Sequence, residues 1–120
     1  MNDKNRSIQQ LQDAVADFVS EREWNKFHSL KNLSMDIAVE ASELMELFLW
    51  VDNAASDERF AQKRDEVEQE VADIFIALLA FCNRADIDLV QAFDRKLQLT
   101  KEKYPVSKVK GKSNKYTEYK

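Results

Sequence analysis

Cysteine, histidine, glycine and proline each occur once in the 120-residue chain. One Cys excludes a disulfide framework, and one Cys with one His excludes a zinc site built from those ligands. A single Gly and a single Pro leave too few turn formers for an all-β fold. No apolar run reaches the roughly 18 residues needed to span a bilayer. The opening segment MNDKNRSIQQ lacks the apolar centre of a secretory leader, so a cytoplasmic protein with no membrane partner is expected.

What is present suits one helical domain: 44% of residues are hydrophobic and 33% charged. The net charge of −4 divides unevenly, because five Lys and one Glu from Tyr104 to Lys120 give +4 and leave −8 on residues 1–103. An acidic body argues against a nucleic-acid polymer as partner. It binds a smaller polyanion only where a cation inverts the local sign.

Apolar residues recur at helical spacing in four segments, and no segment sustains strand alternation. The first helix is expected from an N-cap at Ser7 to about Arg22, with Ile8, Leu11, Val15, Phe18 and Val19 on one face. After the aromatic stretch EREWNKFHSL, the second runs from about Leu30 to Val51. The third is expected to start at Asp57 and to continue unbroken to about Arg84, ~28 residues and ~42 Å long. Asp88 caps the fourth, which stops at Tyr104-Pro105 because proline disfavours helix in the residue before it. The expectation is an all-α, four-to-five-helix bundle over residues 1–105, followed by a basic polar tail over 106–120. From Ile74 to Cys82 the third helix is apolar nearly all round, so it is buried on more than one side. A second subunit would achieve this, and a homo-oligomer is expected.

The acidic residues fall at informative places. On a helical wheel Leu33, Ile37, Leu44, Leu47 and Phe48 form the buried stripe of the second helix. Glu40 lies inside that stripe, Glu43 on its edge and Asp36 between them. On the third helix, Glu66, Glu70 and Asp73 border the stripe of Val67, Val71, Ile74, Leu78, Phe81 and Ala85. Glu is almost never buried without a partner. If Glu40 and Glu43 face Glu70 and Asp73, four like charges converge and need a counter-ion. Hard cations prefer oxygen ligands, so Mg²⁺ is expected, with Mn²⁺ as a substitute. Solvated helix faces, or an ion pair between Glu40 and a Lys or Arg, are the plainer readings of the same pattern. A di-iron site wants Glu-x-x-His on two helices, and neither acidic pair has a His. Trp50 stands one heptad after Glu43, while Trp24, Phe27 and His28 cluster ahead of the second helix. Each Trp is either a stacking platform for a base or an ordinary core aromatic.

The segments REWNKFHSLKNLSMDIAVEASELMELFLW, EQEVADIFIALLAFC, KEKYP and KYTEY resemble the MazG-like all-α nucleoside triphosphate pyrophosphohydrolases, most nearly their dCTP pyrophosphatase branch, from about Ile8 to Tyr119. The family signature, ExxE and then ExxD on the next long helix, reads here as Glu40-Ala-Ser-Glu43 and Glu70-Val-Ala-Asp73. The resemblance implies a homodimer or homotetramer and Mg²⁺-dependent cleavage between the α and β phosphates. It implies Glu40, Glu43, Glu70 and Asp73 as metal ligands. Of these, Glu40 and Glu43 are expected to be catalytic, with Glu43, on the edge of the stripe, taking the proton of the attacking water. The resemblance also implies Trp24, His28 and Trp50 around base and sugar, and Lys96 near the phosphates. Two positions depart from the family: Thr100 where Asn is common, and Ala77 where dCTP-preferring members carry Tyr. A pyrimidine deoxynucleotide, normal or modified, is the expected substrate class. Phosphoribosyl-ATP hydrolysis on the same fold and a catalytically silent partner-binding module are the alternatives. The Lys-rich GKSNKYTEY segment either folds over the triphosphate or is a solvated end.

Overall fold

The computed structural model describes residues 4–113 and Thr117. Apart from Thr117, the expected C-terminal segment beyond Ser113 lies outside the described residues. Those residues form six α-helices and no strand. The chain divides into two compact units, 1–87 and 88–120, so the expected boundary at 105 falls inside the second unit.

In the first unit, α1 (Ile8–Glu21) begins where expected. Ser7 Oγ accepts from the Gln10 backbone N–H at 3.1 Å, and Gln10 Oε1 accepts from the Ser7 N–H at 2.7 Å. This reciprocal box satisfies two backbone donors that the helix start leaves orphaned. A 3-10 turn (Trp24–Phe27) leads to α2 (Leu30–Glu46), which Ser29 caps through the Asn32 N–H at 3.1 Å. A second 3-10 turn (Asn53–Ala55), α3 (Ser56–Gln62) and α4 (Arg64–Ala85) complete the unit.

α4 packs against both α1 and α2, which buries much of its apolar stretch between Ile74 and Cys82 but leaves Ile76 48% exposed. Leu79 is only 1% exposed and Val67, Ala77 and Cys82 are also buried, whereas Val71, placed in the stripe from sequence, is 51% exposed. α1 is held to the far end of α4 by a polar pair. Gln12 Nε2 donates to Asn83 Oδ1 at 3.2 Å, and Asn83 Nδ2 donates to the Gln12 carbonyl at 3.0 Å.

Two expectations need correction. The second helix stops at Glu46 rather than Val51; Leu47, Phe48, Leu49 and Val51 continue in tighter turns, each N–H bonding three residues back. Orphaned carbonyls at a helix end are commonly met this way. The long third helix is really α3 and α4, broken at Lys63, whose φ of −119° and ψ of 23° leave the helical region. Asp57 is accordingly not its cap: Asp52 caps the 3-10 turn, and Asp57 lies within the first turn of α3. Asp65 and Glu66 open α4, where the helix dipole favours negative charge.

The second unit holds α5 (Leu89–Lys103), capped by Asp88 through the Gln91 N–H at 3.0 Å and ended before Pro105 as expected. The one-turn α6 (Val106–Val109) falls in the segment expected to be a polar tail. No helix among the described residues is long and apolar enough to cross a membrane.

Candidate metal and nucleotide site

Packing of α2 on α4 brings acidic side chains of both helices together. Glu40, Glu43 and Glu70 each present a carboxylate oxygen within 4.8 Å of the others. Glu40 and Glu70 are half-buried and Glu43 is exposed. The Oε2 atoms of Glu40 and Glu70 are buried and have no hydrogen-bond partner. Such atoms are costly, since burial removes water without replacing its hydrogen bonds.

Electrostatics agrees with the geometry. Burial, then the charge and hydrogen bonding of Glu43, then the charges of Asp73 and Asp36, push the Glu40 carboxyl up to about 7 from 4.5. Glu70 is raised as well, first by burial, then by hydrogen bonding to Glu43 and the charges of Glu43, Asp73 and Glu46. No Lys or Arg forms an ion pair with Glu40, Glu43 or Glu70 among the described residues. The plainer reading of Glu40 as half of a buried ion pair is therefore not what the fold contains. Orphaned oxygens, hard donors and mutual repulsion all fit an oxygen-loving divalent cation.

A cavity of about 500 Å³ opens beside this cluster, lined by Glu43, Glu46, Leu47, Trp50, Arg59 and Glu70. Trp50 is 91% exposed. Its place here does not follow from the helical ridge expected from sequence, since α2 has already ended; the tighter turns bring it to the cavity. Glu46 and Arg59 escaped the sequence reading. Glu46 had a signal, extending the three-residue acidic ladder beyond Glu40 and Glu43. Arg59 had none, because only the chain reversal between α2 and α3 brings it here.

The remaining residues singled out from sequence sit elsewhere. Asp73 stands outside the tight trio, yet its charge acts on both Glu40 and Glu70. Trp24 packs edge-on to Phe18, ring centres 5.5 Å apart. His28 lines a separate cavity of about 300 Å³ with Asn25, Asn83 and Arg84, and its carbonyl accepts from Arg84 Nε at 3.2 Å. Lys96 belongs to the second unit; it is exposed, and its carbonyl accepts from Thr100 Oγ1 at 2.8 Å. Ala77, one of the departures from the family pattern, is buried at 4% exposure.

Residues 35–119 match the MazG-like family. The chain belongs to that family. It is 31% identical over 114 residues to dCTP pyrophosphatase 1 of Rattus norvegicus, covering 93% of this chain and 67% of the relative. The Mus musculus protein of the same name is 32% identical and the Homo sapiens protein 31%, with the same coverage. A solved pyrophosphatase from Archaeoglobus fulgidus has the same fold, with a TM-score of 0.79 and 34% identity over 88% of this chain and 98% of that one. This MazG-like chain is thus an enzyme of the nucleoside triphosphate pyrophosphohydrolase class.

Proposed function

We propose that the chain hydrolyses a pyrimidine deoxynucleoside triphosphate, normal or modified, to the monophosphate and pyrophosphate, using Mg²⁺ held by Glu40, Glu43, Glu70 and Asp73. The observation that carries this reading is the convergence of unpaired, partly buried carboxylates from α2 and α4 beside an open cavity. Bound there, the cation would offset triphosphate charge and make an attacking water more acidic.

The chain's own groups do the rest. Glu43, the exposed member of the trio, faces the cavity and takes the water's proton. The water oxygen bonds to the α phosphorus, the α–β bridging P–O bond breaks, and pyrophosphate leaves with that bond's electrons. Trp50 offers an exposed ring at the cavity wall on which a base stacks. Trp24 and His28 are assigned to the substrate pocket through a second copy, because one chain does not bring them to the acidic cavity. Lys96 is assigned to the phosphates on the family resemblance alone.

The active form is proposed to be a homodimer or homotetramer in the cytoplasm, with residues 1–105 as the enzymatic domain and 106–120 as a basic tail. Exposed Phe27, Met35, Val39, Val71 and Ile76 support association, and the unpaired Cys82 suits a reducing compartment. The test is a panel of dNTPs and NTPs, each with Mg²⁺ and with EDTA, with products resolved. Metal-dependent monophosphate plus pyrophosphate, fastest with a pyrimidine dNTP, is the expected result. Diphosphate plus phosphate, or no turnover on any nucleotide, contradicts it.

A further inference from the structure

Among the described residues, Arg59 supplies the only cationic side chain in the lining of the acidic cavity. Its Nε donates to the carbonyl of Leu47 at 2.6 Å. That carbonyl lies just past the end of α2, where helices leave acceptors unmet and favour positive charge. One hydrogen bond therefore fixes the guanidinium by its inner nitrogen and ties α3 to the turn that carries Trp50. The four other N–H groups of a guanidinium lie on its two outer nitrogens. Although Glu43, Glu46 and Glu70 line the same cavity, no carboxylate oxygen lies within 4.0 Å of Arg59 among the described residues. An anchored, half-buried Arg in an acidic cavity that makes no ion pair has an uncommitted planar fork, and that fork matches two oxygens of a phosphate.

We infer that Arg59 is a substrate-binding residue whose outer nitrogens contact the polyphosphate of the nucleotide, held in place by the Nε bond to Leu47. The inference rests on the proposed nucleotide reading and deepens it. It divides the work at the cavity: the carboxylates hold the cation, and Arg59 supplies a fixed positive charge that belongs to the protein.

The test is binding by calorimetry, in Mg²⁺, of a dCTP analogue with a methylene bridge between the α and β phosphorus atoms, and separately of inorganic pyrophosphate. Wild type, Arg59→Gln and Arg59→Lys are compared well below their melting temperatures. Losing a charge-assisted fork is expected to weaken both ligands by about 10- to 100-fold in Arg59→Gln, with partial recovery in Arg59→Lys. Lower melting temperatures with wild-type affinities mean that Arg59 only braces the turn, and overturn the inference. A loss for the analogue that pyrophosphate does not share also overturns it, by placing the contact off the phosphates. Wild-type protein that binds neither ligand overturns it too. Wild-type protein that binds both but cleaves no nucleotide contradicts the proposed reaction and leaves the Arg59 assignment standing.

Discussion

Glu40 on α2 and Glu70 on α4 present carboxylate oxygens within 4.8 Å of each other, and each has a buried Oε2 that no hydrogen bond satisfies. Two half-buried acids this close repel, and nothing else in the described fold neutralises them. Glu40→Gln removes one charge and one anionic ligand while keeping the shape of the side chain. Turnover should fall by at least about 100-fold, and Asp73→Asn, outside the tight trio, should cost about 10- to 100-fold. Circular dichroism should show the helices intact in both variants. Full activity in both would mean that the carboxylates are not the reactive centre.

A pH dependence follows from the raised Glu40 carboxyl. Because its folded value of about 7 exceeds the ordinary 4.5, the folded state binds more protons than the unfolded state between those values. Stability from this group is therefore fully present below about pH 4.5 and is lost as pH rises through about 7. In EDTA, the melting temperature of wild type relative to Glu40→Gln should drop between about pH 5 and pH 8. Metal binding needs the ionised form, so the stabilisation conferred by saturating Mg²⁺ should grow over the same range. A wild-type-to-variant gap that is equal at both pH values would contradict the raised carboxyl.

Packing makes a separate prediction. Leu79 is the most fully buried large side chain of α4, at 1% exposure. Leu79→Ala should cost about 2 to 5 kcal/mol in urea unfolding, roughly 4–8 °C of melting temperature per kcal/mol in a domain of this size. A loss under about 1 kcal/mol would place the core elsewhere.

Much of this was legible in the sequence, for identifiable reasons. Ser7 and Asp88 announced helix starts through local side-chain chemistry, and the Tyr104-Pro105 step announced a stop, because those signals do not depend on the rest of the fold. Glu40 inside an apolar stripe announced a buried acid. The break at Lys63 was hidden, because QKRDE holds neither Gly nor Pro and the apolar period runs through it. The end of α2 was hidden in the same way: once turns tighten to bonds three residues back, a wheel drawn at 100° per residue loses its phase, so Trp50 reaches the cavity by the tighter turns and not along the helical ridge. Arg59 was invisible because its contact with Leu47 depends on the intervening turn rather than on any local pattern.

The most direct measurement is calorimetric titration of metal-free protein with Mg²⁺ and with Mn²⁺, for wild type, Glu40→Gln and Glu70→Gln. Saturable binding in wild type that weakens at least about tenfold in each variant, with the helical spectrum unchanged, is the expected result. Identical binding in all three proteins, or none in wild type, would show that the facing carboxylates of α2 and α4 are not a metal site.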